Sequence, residues 1–285
     1  MEVARRAEDS GYSTLLFPDH TGMVAPLPAM AAAAAVTTRL RLGTQVVNIA
    51  FRPLGALAQE ATAVDVISGG RLELGLGAGY AEREVRSLGL PFPTTPTRIR
   101  EVARALEVLP RLFAGETVTE EPGPGRLDGF TLDPLPPQGA SVPLMVGGNG
   151  DQILAVAARA ANIVQFTGFT APGSAGLSHF TTDGLANRVR HVRRVAGDRF
   201  DEMEFSVLIQ AARQTNDPPA AAAELVGHQL TVDQALDSPF LLFGSVKQIC
   251  DRLFGLREQF GISYITVFHA RSAGFEQVVS QLSGQ

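Results

Sequence analysis

Apolar positions recur along the chain in two rhythms, and their alternation sets the expected architecture. Glu2 to Ser10 has helix-forming composition and ends at Gly11, so the chain opens on a helix. Thr14-Leu-Leu-Phe17 is a short apolar run left through Pro18, which predicts a buried strand. Pro28 to Thr38, rich in alanine, predicts a helix able to pack closely on a sheet. A strand over Leu40–Val47 and a helix over Pro53–Ser68 follow. Ser68-Gly69-Gly70 stops that helix, because glycine takes the left-handed cap conformation without steric cost. Leu72, Leu74 and Leu76 then alternate with Glu73 and Gly75 at the period of a strand, and helical turns run from Ala81 to Leu88.

Pro91 to Pro96 predicts a loop, since each proline disfavours helix in the residue before it, and Thr97 predicts the cap of a helix to about Phe113. Gly115 to Gly139 is rich in Pro and Gly, with strand-like pieces at Glu116–Thr119 and Phe130–Leu132, the pattern of an inserted hairpin. Strands over Val142–Val146, Ile163–Phe166, Phe205–Ile209 and Tyr264–Val267 are interleaved with helices over Asp151–Ala161, Asp183–Arg199, Pro219–Gln229 and Ser245–Phe260, and Phe275–Leu282 ends the chain as a helix. Thr167 to Thr182 reads as a long loop, for which a functional lid is the usual reason.

Strands separated by helices imply right-handed βαβ units and a parallel sheet. Seven main strands fall one short of a closed eight-stranded barrel. A doubly wound open sheet competes. The barrel is favoured because apolar strands end repeatedly in polar or glycine loops along the whole chain. The expectation is an α/β protein, a TIM-like (β/α)8 barrel lacking its first β-strand, in one domain over residues 1–285 with insertions near 115–141 and 167–182.

Composition adds bounds. A chain of 285 residues has the size of one such barrel, with 19% charged and 45% hydrophobic residues. A net charge of −5 without a basic block argues against nucleic acid. Lys247 is the only lysine and Cys250 the only cysteine, which excludes an ensemble of catalytic lysines, an internal disulfide and a Cys-rich zinc site. The run Ala31–Ala35 is too short to span a bilayer and lacks a basic leader. These features predict a soluble, cytoplasmic protein.

In a barrel the strand ends line one mouth, which selects Asp19-His20, Thr44 to Asn48, Gly77 to Tyr80, Gly147 to Gly150, Gln165 to Gly168, and His269. Asp19-His20 pairs a carboxylate with an imidazole and suits proton transfer near neutral pH; the plainer alternative is a turn capped by Asp19 with His20 solvated. Gly75, Gly77 and Gly79 leave backbone bare for a flat ligand, with Tyr80 to stack or donate, or else they ease a tight turn. They lack the spacing of the dinucleotide fingerprint. Gly147-Gly-Asn-Gly150 before a helix is a better anion site, unless it is an ordinary loop. Glu82 and Glu84 are either acids or partners of a helix dipole. His179 sits in the expected lid, His191 and His228 on helices as exposed residues, and no two histidines have metal-ligand spacing, so no metal is expected.

Taken together, the segments Ala7–His20, Leu42–Val47, Asp65–Tyr80, Val146–Gly150 and Phe243–Tyr264 resemble the luciferase-like monooxygenase superfamily, and within it the F420-dependent oxidoreductases. The resemblance covers nearly the whole chain. It implies a TIM-like barrel binding the deazaflavin F420 at its C-terminal mouth, acting as an oxidoreductase on a small organic substrate. Asp19 and His20 match the acid–imidazole pair beside the reactive ring. Thr44, Gln45, Val46, Gly77, Gly79 and Tyr80 fall on the ring-binding wall, with a cis peptide expected between Gln45 and Val46. Gly147, Gly148, Asn149 and Gly150 match the segment holding the cofactor's tail phosphate. His20 would move the proton, oriented by Asp19. Members begin with a strand before the first helix, which this chain does not show, so a truncated start or a barrel short of one stave is implied. Some F420 enzymes carry Glu where Tyr80 stands, so Tyr80 is a weaker acid in that place. The alternatives are an FMNH2-dependent flavin monooxygenase and a non-catalytic barrel protein; a homodimer is the candidate assembly.

Overall fold

The computed structural model describes residues 1–168, 176–226 and 230–283. The chain divides into two compact units, one of Met1–Gly147 with Ala160–Asn162, the other of Gly148–Arg159 with Ile163–Gln285.

The first unit runs α1 (Glu2–Asp9), β1 (Thr14–Phe17), α2 (Pro26–Ala34), β2 (Arg41–Thr44), β3 (Val47–Asn48), α3 (Leu54–Ser68), β4 (Leu72–Gly77), α4 (Glu82–Ser87), α5 (Thr95–Phe113) and β5 (Leu144–Gly148). β1 pairs with β2, β2 and β3 with β4, and β4 with β5, all in parallel. Every residue of β4 is buried, so the leucine alternation belongs to a strand covered on both faces. Its polar side is satisfied internally: Glu73 accepts from Arg41 Nε at 2.6 Å and from Thr14 Oγ1 at 3.3 Å.

α3 forms because Leu54, Leu57, Ala58, Ala61 and Val64 present one buried face. It ends at Gly69, with φ 66° and ψ 42°, while the Gly70 N–H donates to the Asp65 carbonyl at 2.9 Å. The Asp65 carboxylate is wholly buried and accepts from the Leu72 N–H, the Gln138 N–H and Gln138 Nε2. Arg71 donates to the carbonyls of Ala34, Thr37, Leu40 and Ser68, which closes the C-terminal end of α2. The Asp65–Arg71 half of the glycine-rich segment is therefore scaffold.

The second unit holds α6 (Asp151–Ala160), β6 (Ile163–Phe166), α7 (Thr182–Ala196), β7 (Glu204–Ile209), β8 (Ala211–Gln214), α8 (Pro218–Val226), α9 (Val232–Asp237), β9 (Leu241–Gly244), α10 (Val246–Phe260), β10 (Ile262–Val267) and α11 (Glu276–Leu282). β7 lies between β6 and β10, parallel to both. β8 and β9 form a separate parallel pair, over a small core of Ala211, Ala222, Ala235 and Leu241. Thr231 and Ser245 start α9 and α10 with capping boxes to Gln234 and Gln248.

Several boundaries move for identifiable reasons. α2 starts at Pro26, not Pro28, and α5 at Thr95 with Pro96 in its first turn, not at Thr97. First-turn N–H groups lack helical partners anyway, so proline is tolerated there. The single strand expected over Leu40–Val47 is two, separated by Gln45 and Val46, whose peptide is cis as the family resemblance implied. The 115–139 insertion keeps one antiparallel bridge, Val118 to Phe130, in place of two hairpin strands. Ten strands, not seven, occur among the described residues. β3, β8 and β9 add to the expected strands: β3 has two residues and β8 ends in the polar pair Arg213-Gln214, so neither shows a strand period. Of the expected lid, residues 169–175 lie outside the described residues, while Gly176–Phe180 is a 3-10 helix. His228 also lies outside them. No helix among the described residues is long and apolar enough to cross a membrane.

Candidate functional site

β1 ends at Phe17 and releases Pro18-Asp19-His20 beside the segment between β2 and α3. Asp19 is 7% exposed in its side chain. Its Oδ2 accepts from the Asn48 N–H at 3.1 Å and from Arg52 Nη1 at 3.1 Å, while Oδ1 takes Arg52 Nη2 at 3.4 Å. This two-pronged pairing supplies the fixed charge that a buried carboxylate needs. The carboxylate at His20 is a different one: both Glu84 oxygens lie 3.0 Å from His20 Nδ1. Glu84 Oε2 also accepts from the Thr21 N–H at 3.3 Å, and the Glu84 carbonyl from Thr21 Oγ1 at 3.2 Å. The expected orientation of His20 by Asp19 is thus replaced by Glu84. Neighbouring residues of an extended chain point to opposite sides, so Asp19 and His20 face different partners.

With Glu84 ionised, Nδ1 carries the hydrogen and Nε2 of a neutral His20 carries the lone pair. The Tyr80 ring stands edge-on to the imidazole with centroids 6.3 Å apart. Burial, then the negative charge of Glu84, push the Tyr80 phenol above its ordinary pKa, so it stays protonated and serves as a donor. Glu82, weighed together with Glu84 as an acid, pairs with Arg86 at 2.7 Å on the surface.

The glycine wall has a different origin from bare backbone offered to a ligand. A Cβ at Gly75 would lie 2.1 Å from the Thr44 carbonyl oxygen, and one at Gly77 would lie 2.3 Å from Val46 Cγ2. At Gly79, where φ is +69°, it would meet Asn48 Oδ1 at 2.6 Å. The missing side chains leave room for the chain itself. Thr44 is wholly buried, and its hydroxyl donates to the Gly75 carbonyl at 2.8 Å while accepting the Gly75 N–H at 2.9 Å. Thr44 latches β2 to β4, and the glycines admit Thr44, Val46 and Asn48. Gln45 and Val46 remain partly exposed. Arg98 holds the turn from behind, donating to the carbonyls of Ala78 and Gly79 at 3.1 and 3.2 Å.

Of the Gly147–Gly150 loop, Gly147 ends the first unit's share of β5. In the second unit, Gly148 gives room to Ile153, whose Cγ2 lies 2.7 Å from where a Cβ would be; Gly150 faces open space. Asn149 is 7% exposed and its amide is committed to protein groups. Nδ2 donates to Thr167 Oγ1 at 2.7 Å, and Oδ1 accepts from the N–H groups of Thr167 and Gly168 at 3.2 Å each and from Arg188 Nη1. Asn149 thereby ties two strand-end loops together.

Gln165 is buried and bonds Ser206 and Thr266 across β6, β7 and β10, so it belongs to the sheet interior. His269 is exposed in a 3-10 turn. His191, expected to be exposed, is half-buried and bonds the Asp151 carbonyl and Arg194. Among the described residues no cluster of three or more His, Cys, Asp or Glu could hold a metal. Sequence reasoning missed Arg52 and Arg188. Each lies in a helical or loop segment whose local pattern carries no sign of the carboxylate or loop it reaches.

Parallel strands with helical crossovers, and a polar cluster following strand C-termini, define an α/β protein whose site sits where TIM-type barrels carry theirs. The family model for luciferase-like monooxygenases matches residues 1–239, and the chain belongs to that family. An F420-dependent glucose-6-phosphate dehydrogenase of Nakamurella multipartita is 31% identical over 225 residues, 75% of this chain and 63% of that protein. A protein of the same description from Microbacterium testaceum is 34% identical over 164 residues, covering 54% of this chain and 48% of its own length. The chain thus spans between about half and under two thirds of those relatives. The solved F420-dependent tetrahydromethanopterin reductase of Methanopyrus kandleri shares the fold, with a TM-score of 0.79 at 17% identity over 99% of this chain and 93% of that one.

Proposed function

We propose that the chain is an F420-dependent oxidoreductase passing a hydride between the deazaflavin and a small organic substrate. The observation that carries this reading is the His20–Glu84 pair beside Tyr80, an imidazole held by one nitrogen with the other available for proton transfer. F420 dependence in the descriptions of the two curated relatives supports the cofactor. So does the chemistry of the chain. Gln45, Val46 and Tyr80 offer a partly exposed surface for a planar ring.

When bound, the deazaflavin supplies or accepts the hydride at C5 of its ring. His20 takes up or delivers the accompanying proton at Nε2, and Glu84 stabilises the imidazolium through Nδ1. Tyr80 keeps its proton and orients a neighbour by donating from its hydroxyl. Asp19 acts as a positioning residue: with Arg52 it fixes the Asn48 N–H and the turn that presents His20. In this reading Gly147 to Gly150 supply backbone donors for the cofactor's phosphate, and the chain works as a single cytoplasmic luciferase-like domain with no nucleic-acid partner. A homodimer is its candidate assembly, which light scattering would test.

Titration of the purified chain with F420 and with FMN, followed by cofactor fluorescence, tests the reading. Saturable F420 binding with hydride transfer to a substrate is the expected result. FMN binding with substrate-dependent oxygen uptake would make it a monooxygenase, and binding of neither cofactor would leave a non-catalytic barrel.

A further inference from the structure

The helix that carries the Glu84 carboxylate, α4, is only six residues long. Helices shorter than about 12 residues are marginal on their own, so tertiary contacts must fix where α4 lies. Val85 supplies one, being wholly buried, and Thr21 supplies two through the Glu84 carboxylate and carbonyl. The chain on both sides of α4 is held by a single side chain, Arg98 of α5. Its Nε donates to the carbonyls of Ala78 and Gly79, ahead of the helix, at 3.1 and 3.2 Å. Its Nη1 donates to the Pro93 carbonyl, beyond the helix, at 2.5 Å, and Nη2 to Thr95 Oγ1 at 3.2 Å. The guanidinium carbon also lies 4.0 Å from the centroid of the Phe92 ring.

Arg98 is buried, and each of these acceptors is neutral. Burial pulls its pKa below the ordinary arginine value, and the charge of Glu82 opposes that pull. Glu82 is itself engaged with Arg86 at 2.7 Å. A buried cation matched to carbonyls alone is a poor source of stability. What it supplies is direction. A planar fork reaches several acceptors at fixed angles, whereas lysine offers a point charge on a flexible stem. The turn that Arg98 grips leads straight into Tyr80 and α4. On its other side Gly79 packs against Asn48, whose N–H donates to the Asp19 carboxylate. The loop bearing His20 and the turn bearing Tyr80 are therefore fastened separately, the first through Asp19 and Arg52, the second through Arg98.

We propose that Arg98 is a positioning residue, which holds Tyr80 and Glu84 in place against His20 by fixing the backbone before and after α4. Both Glu84 oxygens lie 3.0 Å from His20 Nδ1, and the Tyr80 ring centroid lies 6.3 Å from that of the imidazole. A drift of α4 by about 1 Å takes the carboxylate out of hydrogen-bond range. In the proposed reaction Arg98 thus acts on proton transfer through Glu84. That consequence rests on the F420 reading; the placement of the two side chains does not.

Nuclear Overhauser effects in the full chain, with His, Tyr and Phe isotopically labelled, test the placement without any cofactor. Wild type should show a ring-to-ring effect between His20 and Tyr80, and another between Phe166 and Phe205 of the second unit, whose centroids lie 5.9 Å apart. Arg98→Lys keeps the charge and removes the fork. It should lose the His20–Tyr80 effect and keep the Phe166–Phe205 effect. A His20–Tyr80 effect absent from wild type, one of unchanged strength in Arg98→Lys, or loss of both effects together overturns the proposal; the last is what a plain stabilising role produces. Should Arg98→Lys fail to fold, Phe92→Leu/Thr95→Val, which strips two contacts of Arg98 outside the turn, is read by the same criteria, with weakening in place of loss. Titration of the same proteins with F420 separates the two readings. A chain that rejects F420 while Arg98→Lys loses the His20–Tyr80 effect would end the cofactor reading and leave Arg98 its role. F420 binding with an unchanged effect in Arg98→Lys would do the reverse.

Discussion

Gly75→Ala separates two explanations of the glycine wall. If the glycine is there to expose backbone to a ligand, alanine should cost cofactor affinity and little stability. The geometry argues otherwise. The new Cβ would lie 2.1 Å from the Thr44 carbonyl oxygen and 3.2 Å from Val46 Cγ1, where ordinary contact begins at 3.4 Å. The nearest clash is with backbone, which cannot rotate away as a side chain can. Strands β2 and β4 must part, and overpacking of this kind costs about 1–3 kcal/mol. Parting them also weakens the two Thr44–Gly75 hydrogen bonds, at about 1 kcal/mol each. The sum is a loss of roughly 3–5 kcal/mol, or a Tm lower by roughly 6–10 °C in a chain of this size. Urea unfolding followed by circular dichroism measures it. Thr44→Val keeps the shape and strands the buried Gly75 N–H and carbonyl, for about 1–3 kcal/mol each, whereas Thr44→Ser restores the hydroxyl and should lie near wild type. A Gly75→Ala protein that unfolds at the wild-type midpoint would refute the argument.

Other perturbations follow from the same contacts. His20→Ala should lower turnover by about 10²–10⁴-fold with F420 still bound, the range of general acid–base catalysis. Glu84→Gln, which removes the charge behind Nδ1, should cost roughly 10–100-fold and reshape the pH–rate profile; an unchanged profile would deny Glu84 its role. Asn149→Ala deprives the Thr167 and Gly168 N–H groups and Arg188 of their acceptor, and should destabilise by roughly 2–4 kcal/mol in chemical denaturation. The carboxyl of Glu8 accepts the N–H groups of Thr38, Arg39 and Leu40, with backbone bonds as the first cause of a pKa lowered from 4.5 to about 2. Glu120, bonded first to Arg104, is lowered to about 2 as well. Because folding depresses both values, their stabilisation is complete above about pH 4.5 and is lost as pH falls toward 2. Urea midpoints measured from pH 5 to pH 2 should fall less steeply in Glu8→Gln and Glu120→Gln.

The sequence carried most of the fold because its strands are apolar runs of four or more residues with glycine or proline at their ends. β1, which leaves through Pro18, stands at its expected bounds for that reason. The site was less legible. Asp19 and His20 stand side by side in the chain, which suggests a pair, but their side chains meet Arg52 and Glu84, distant in sequence. Glu84 could be named as a candidate and not as the partner of His20, since nothing in a helical turn tells which loop crosses it. The clustered glycines were visible, yet a glycine that admits a ligand and one that admits Val46 look identical in one dimension. Arg188 was hidden more completely, within an Arg-rich helix where burial distinguishes it from its exposed neighbours Arg190 and Arg194.

Burial also divides the labour between the two carboxylates at the first unit's mouth. Asp19, at 7% exposure, is matched to a guanidinium, whose charge does not change over any working pH. That pair can hold a backbone in place and cannot exchange a proton. Glu84 and His20, at 28% and 38%, are a titratable pair in contact with solvent. An imidazole there can change charge state without stranding a charge in the interior, because its carboxylate compensates one nitrogen while the other faces outward chemistry. Had the residues been exchanged, with the imidazole buried against Arg52, protonation would have placed two cations together. In the proposed reaction the buried pair supplies rigidity and the exposed one proton movement, with Asp19 as the positioning residue and His20 as the proton carrier.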